Sequence, residues 1–131
     1  MAKAQRHETT IFEDAGWTAI ARVQNPSGNN ITQATITTVE LVVTMAYEDG
    51  TTATTLAQNT LTKTAVVFDT LQTGDARWTK DTTGFNFLYE VPATAFPKPG
   101  RATIEFKFTP TSGAAYFVVW TGPVIGVSEF T

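Results

Sequence analysis

Residues 84–120 alternate between apolar and polar side chains, the pattern of β-strands that bury one face. In the middle of this region Ile104, Phe106 and Phe108 share one face, and the residues between them are polar. An earlier set on one face consists of Phe85, Phe87, Tyr89 and Val91. Both apolar faces need a second layer to cover them, so the region predicts a sandwich or a barrel.

The same alternation predicts further strands over residues 17–23, 36–47, 51–57 and 65–68. The longest covers residues 36–47, and in the shortest Val66 and Phe68 are expected to face inward. With turn signals about 8 to 15 residues apart, about seven strands are expected, which is typical of a β-sandwich.

Glycine and proline mark the predicted turns. Asp49-Gly50 suits a tight hairpin because both residues can take positive φ. Residues 98–101, Lys-Pro-Gly-Arg, fit a type II turn in which Gly100 would supply the positive φ. Residues 111–113 are expected to close the last hairpin, and residues 25–30, NPSGNN, to form a loop.

The first fifteen residues carry no sustained apolar period. We interpret residues 1–15 as an extended N-terminal arm, with a short edge strand at residues 9–12 as an option, and residues 16–131 as one sandwich domain. The arm is expected to add little to the stability of the sandwich. Its basic side chains, Lys3 and Arg6, and its apolar pair, Ile11 and Phe12, suit a segment that orders against a partner.

Composition narrows the function classes. The 131 residues are 42% hydrophobic and 16% charged, and 9 basic against 12 acidic residues argue against a nucleic-acid partner. There are 26 threonines and 3 serines, which favours sheet because threonine is β-branched. No apolar run suggests a membrane span, and the polar start MAKAQRHETT lacks a signal peptide's apolar core, so folding in a cytoplasm is expected.

No motif points to catalysis, a cofactor or a metal. The sequence has no cysteine and a single histidine, His7, which we interpret as a solvated residue of the arm. Asp69, Asp75 and Asp81 are six residues apart, a spacing that matches no EF-hand loop. Loop solubility and turn capping account for these acids.

Aromatic residues keep a sugar-binding alternative open. The tryptophans and tyrosines are Trp17, Trp78, Trp120, Tyr47, Tyr89 and Tyr116. Each suits the core or a subunit contact, and each could also stack on a sugar ring. Trp78 lies in the most loop-like context and is the best candidate for an exposed contact.

Glycine, proline and aromatic residues recur in a distinctive pattern from Gly84 to Trp120. The pattern is Gly84-Phe85, Tyr89, Val91-Pro92, Phe96, Gly100, Ile104, Phe106, Phe108, Gly113, Phe117 and Trp120. It resembles the last three strands of immunoglobulin-like domains in bacteriophage virion proteins, and the resemblance covers roughly residues 36–125. The nearest types are small accessory proteins of phage heads and the N-terminal domain of phage baseplate upper proteins. An antibody-type domain is excluded because Phe85 and Phe87 replace its corner tyrosine and cysteine.

The resemblance implies an all-β, Ig-like antiparallel β-sandwich of about seven strands with the extended arm. It also implies a non-enzymatic structural virion protein that decorates or cements a bacteriophage capsid, located in the virion after assembly in the host cytoplasm. The expected partners are the major capsid protein or other virion subunits, with many copies or a homo-oligomer, and neither nucleic acid nor membrane. The alternative is a baseplate or tail adaptor or a carbohydrate-binding host-recognition module. The predicted partner contacts are Lys3, Arg6, Ile11, Phe12 and Trp78.

Overall fold

A computed structural model describes residues 4–127, and within this range nine strands form two sheets. The strands are β1 (Ala4–Glu8), β2 (Ile11–Phe12), β3 (Trp17–Ala21), β4 (Ile36–Tyr47), β5 (Thr52–Leu61), β6 (Val67–Gln72), β7 (Phe85–Val91), β8 (Gly100–Pro110) and β9 (Tyr116–Ile125). Three short helical turns join them: Gln33–Thr35, the α-helical turn α1 (Lys63–Val66), and Ala93–Ala95.

The predicted all-β sandwich is confirmed. The larger sheet has the order β1-β9-β8-β4-β5, with β2 also on β9, and the smaller one has the order β3-β7-β6. Strands β3 to β9 occupy the places of strands B, C, C′, D, E, F and G of an immunoglobulin-like sandwich. The sheets are not wholly antiparallel, because β1 and β2 run parallel to β9.

Aromatic rings fill the space between the two sheets. Phe87 of the smaller sheet packs edge-on against Phe106 and Phe108 of the larger one, with ring centroids 4.9 and 5.2 Å apart. Trp120 meets Phe106 from the neighbouring strand at 5.6 Å. In this geometry the positive edge of one ring faces the negative face of another, and large apolar areas are buried. The aromatic layer therefore stabilises the packing of the two sheets.

The longest strands follow the predicted alternation. Along β8, Ile104, Phe106 and Phe108 are all fully buried, and Lys107 between them is exposed. The two hairpin turns are also confirmed, because Gly50 and Gly113 have φ angles of 89° and 97°. These are left-handed conformations that glycine adopts without strain.

Two local predictions are wrong. Gly100 does not have a positive φ; it begins β8 and pairs with both Tyr47 and Val124. Its lack of a side chain serves a close approach instead, since a Cβ there would overlap the carbonyl oxygen of Ala46.

The strand predicted over residues 65–68 begins two residues later. Residues 63–66 form α1, and Val67 is fully buried opposite Phe87 while Phe68 is only half-buried. A shift of one residue exchanges the two faces of a strand, so the predicted inward position of Phe68 passes to Val67.

The described part of the arm is built into the larger sheet, which corrects the expectation of a free extension. Residues 4–8 and 11–12 pair with β9, and the amide of Thr9 donates to the carbonyl of Thr121 at 3.0 Å. Ile11 is 1% exposed and belongs to the core. Gly122 permits this close crossing because a Cβ there would overlap the carbonyl of Thr9. The arm therefore contributes to the sandwich, contrary to the prediction that it adds little.

His7 is not the solvated residue expected from the sequence. Its ring stacks on Trp120 with centroids 4.9 Å apart, and Nζ of Lys80 lies 3.2 Å from its Nδ1. The other ring nitrogen, Nε2, is buried and has no hydrogen-bond partner among the described residues. Burial, and then the charge of Lys80, lower the pKa of His7 below its usual 6.5.

The register of β8 can be tested by paired substitutions. Phe106→Ala removes a fully buried ring between the sheets and should reduce the free energy of unfolding by about 3–5 kcal/mol. Lys107→Ala, on the exposed face, should cost less than about 0.5 kcal/mol. Denaturant unfolding measures both, and equal costs would show that the register is wrong.

The arm should respond to mild acid through His7. Its folded pKa lies below 6.5, so between these two values the unfolded chain binds more protons than the folded chain. The stability due to neutral His7 is thus present above about pH 6.5 and is lost as the pH falls through the folded pKa. Unfolding free energies measured between about pH 7 and 5 should fall with acid in the wild type and fall less in His7→Gln. Equal pH dependence in the two proteins would contradict the role assigned to His7.

Candidate functional site

Two large apolar side chains are displayed together at one end of the larger sheet. Phe12 is 53% exposed and Ile125 is 43% exposed, and they are register partners in the parallel pairing of β2 with β9. Among the described residues, no other large hydrophobic side chain is exposed. We call them the apolar pair. Single exposed hydrophobics are ordinary, but two side by side on neighbouring strands form a surface suited to a protein contact.

The backbone around the apolar pair is fixed on both sides. The amide of Glu13 donates to the carbonyl of Ile125 at 3.0 Å, and Oε1 of Glu13 accepts a hydrogen bond from the amide of Val127 at 2.8 Å. The amide of Asp14 donates to the carbonyl of Phe96 at 2.8 Å, which ties the same corner to a third segment. A contact surface held this firmly loses little conformational entropy when a partner binds.

The other arm residues predicted as contacts lie in different positions. Arg6 is exposed on β1 and pairs with Val119, so it shares the outer face of the sheet with Phe12. Ile11 points the opposite way into the core, and its burial does not fit the predicted contact with a partner. Lys3 lies outside the described residues.

Trp78 lies on the other side of the molecule, against the smaller sheet. It is half-buried on the ring of Phe85, 5.8 Å away, and its Nε1 donates to Oδ1 of Asp81 at 3.2 Å. The guanidinium of Arg22 lies 6.0 Å from its ring centroid. One face of the indole is thus used within the chain, and Trp78 does not join the apolar pair in one site.

Charged residues fasten the loop that carries Trp78. Asp81 bridges to Arg22 at 2.9 Å, and Arg77 bridges to both Asp75 and Glu90. Hydrogen bonds from Arg77 lower the pKa of Asp75 to about 2. The backbone hydrogen bond from Gly84, followed by side-chain hydrogen bonds from Arg22 and Trp78, lowers the pKa of Asp81. These carboxylates hold the loop across the smaller sheet.

The three aspartates considered as metal ligands each bind a different partner within the chain. Asp69 accepts a hydrogen bond from the amide of Gln33 at 2.7 Å, while Asp75 and Asp81 hold different arginines. Across residues 4–127 no three histidine, aspartate or glutamate side chains gather in a group able to hold a metal ion. In the same range, no helix has the length and apolarity needed to cross a membrane.

Ile125 was not singled out from the sequence, although a signal was present. Tyr116, Val118 and Trp120 are buried along β9, so continued alternation places residue 125 on the outer face. The local pattern does not show which residue lies beside Ile125. Phe12 is more than a hundred residues away in the chain, and the parallel pairing of β2 with β9 brings the two together.

Comparison with known proteins adds little to this geometry. No protein-family model matches the sequence, and no curated protein matches it. A solved structure of a family 123 glycoside hydrolase from Clostridium perfringens, studied for glycolipid glycan hydrolysis, is similar with a TM-score of 0.40 and 8% sequence identity. The match covers 94% of this chain and 23% of that one, so the chain spans less than a quarter of that enzyme's length. A similarity at this level supports no conclusion about function.

Proposed function

We propose that this chain is a non-enzymatic structural protein of a bacteriophage virion, which decorates or cements the capsid by docking onto its major capsid protein. The observation that carries the proposal is the apolar pair, Phe12 and Ile125, displayed on a rigid corner of the larger sheet. The phage assignment itself rests on the resemblance of residues 36–125 to Ig-like virion domains.

The outer face of β9 supplies the surroundings such an interface needs. A stable protein interface buries on the order of 1,200–2,000 Å², with apolar anchors at the centre and a polar rim. Phe12 and Ile125 serve as the anchors. Thr121 and Pro123 lie beside them on the same face, and Arg6 lies further along β1. The arginine adds charge that steers the approach of a partner.

Repetition strengthens a modest contact of this kind. A capsid presents the same docking position many times, and each copy of the chain needs only one anchor pair to occupy it. Linked or neighbouring contacts raise the effective concentration of the next one. If neighbouring copies on the shell also contact one another, this linkage lets a small apolar patch on a firmly held corner keep each copy in place.

Substitution of the apolar pair tests the proposal. Phe12→Ser and Ile125→Ser keep the strand pairing but remove the exposed apolar area, and each should weaken binding to stripped capsids about tenfold or more. Co-sedimentation of the purified chain with capsids of the phage whose genome encodes it measures the effect. Lys107→Ala, on the same outer face but near the other end of β8, is the matched control and should bind like the wild type.

Two outcomes would count against the proposal. Capsid binding unchanged in both serine variants would remove the apolar pair from the interface. Binding of the wild-type chain to purified tails or baseplates in place of capsids would transfer the chain to the adaptor alternative.

A further inference from the structure

A cleft of about 440 Å³ opens at the end of the sandwich opposite the apolar pair. It lies between the loop of residues 25–30 and the loop that joins β8 to β9. These are the positions of the first and third antigen-binding loops of an antibody variable domain. Its size falls within the range of small-ligand sites, about 300–1,000 Å³.

The first loop is held in a single shape by its own hydrogen bonds. Oδ1 of Asn25 accepts hydrogen bonds from the amides of Ser27 and Asn29 at 3.0 and 3.1 Å. The amide of Gly28 donates to the carbonyl of Asn25 at 2.9 Å.

Beneath this loop, the buried side chain of Asn86 anchors both of its ends. Its Oδ1 accepts from the amide of Val23 at 2.7 Å, and its Nδ2 donates to the carbonyls of Val23 and Ile31. Breaking such buried bonds would leave polar groups unpaired, so this side of the cleft is preformed.

The second loop is fixed to the start of β4. The amide of Thr111 donates to the carbonyl of Thr35 at 3.1 Å, and the hydroxyl of Thr37 donates to the carbonyl of Pro110 at 3.4 Å. Gly113 turns the chain with a φ of 97°, and beyond its two chain neighbours no residue comes within 4 Å of where its Cβ would be, so the space beside it is open.

Tyr116 lines the cleft from the core side. Its ring stacks on Phe108 with centroids 5.7 Å apart and planes 8° from parallel. The residue is 3% exposed, and it is one of the residues that line the cleft. Burial raises the pKa of Tyr116, so the hydroxyl stays neutral and able to donate.

The lining of the cleft is neutral and rich in groups that both donate and accept hydrogen bonds. Its members are Asn25, Pro26, Ser27, Thr35, Pro110, Thr111, Ser112, Gly113, Ala114 and Tyr116. It offers no fixed charge to pair with a phosphate, a carboxylate or an amine. Hydroxyl and amide groups beside the proline rings match a ligand that carries many hydroxyl groups.

We infer that this cleft binds a neutral oligosaccharide. This goes beyond the proposed docking function and uses the other end of the molecule. Strand β8 runs from the corner of the apolar pair to the cleft over eleven residues, which is about 34 Å at the rise of an antiparallel strand. When Phe12 and Ile125 dock onto a partner, the cleft at the opposite end of the sandwich stays accessible to a ligand. The sugar contact thus belongs to the loop cleft, whereas Trp78 is engaged with Phe85 and Asp81.

The test uses the isolated full-length chain and a panel of neutral and charged glycans. Maltohexaose, cellohexaose, N-acetylchitohexaose and a mannan are the neutral probes, and sialylated and sulfated glycans are the charged ones. Array binding should favour at least one neutral probe. Amide chemical-shift changes on its titration should centre on Ser27, Ser112 and Gly113.

Three variants locate the site. Ala114→Trp fills the cleft and should reduce binding more than tenfold. Tyr116→Phe keeps the stack on Phe108 and removes only the hydroxyl, so binding should weaken about three- to tenfold. The control is Ala53→Trp, another exposed alanine that pairs with Met45 near the other end of β4 and should bind normally.

The absence of neutral-glycan binding by the wild-type chain at millimolar concentration would overturn the inference. So would shift changes confined to Trp78, or unchanged binding in both Ala114→Trp and Tyr116→Phe. Because no capsid is present in this assay, its failure leaves the docking proposal intact, and loss of capsid docking leaves the glycan result intact.

Discussion

The parallel pairing of the N-terminal strands with β9 is the interaction on which the proposed docking surface depends. Side chains alternate along a strand, so the observed register places Ile11 in the core and Phe12 on the outer face beside Ile125. A slip of one residue would exchange the two. The same pairing brings His7 onto Trp120, which makes the edge of the core sensitive to protonation. The burial of Ile11, the exposure of Phe12 and the environment of His7 thus all depend on the pairing of the N-terminal strands with β9.

The sandwich gives the molecule two distinct ends. Aromatic packing between Phe87, Phe106 and Phe108 joins the sheets in the middle and leaves the ends to loops and edge strands. One end carries an apolar pair held by backbone hydrogen bonds, and the other carries a neutral polar cleft between two tied loops. Apolar area suits an obligatory attachment, and hydroxyl-rich lining suits a reversible contact with a hydrated ligand. The two surfaces lie at opposite ends of the sandwich because β8 and β9 run the full length between them.

Local periodicity was sufficient to place β4 and the centre of β8, because both strands alternate buried and exposed side chains, but it ended β5 at residue 57 whereas the strand continues to Leu61. It failed where a remote segment decides the structure. The role of Gly100 is a close approach to Ala46, and the inward position in β6 passes from Phe68 to Val67 because α1 precedes it. The pairing of the arm, the exposure of Ile125 and the loop cleft all require contacts between distant parts of the chain. No pattern within a window of ten or fifteen residues contains those contacts.

The most direct test of the account is whether the proposed binding to a capsid requires the pairing of the N-terminal arm with β9. Gly122→Ala places a methyl group where the carbonyl of Thr9 crosses, whereas Gly74→Ala meets open space and is the matched control. Hydrogen exchange by mass spectrometry, followed by capsid co-sedimentation, should show that Gly122→Ala loses amide protection over residues 5–12 and loses capsid binding, while Gly74→Ala keeps both. A variant whose arm amides exchange freely but which still binds capsids as tightly as the wild type would contradict the account.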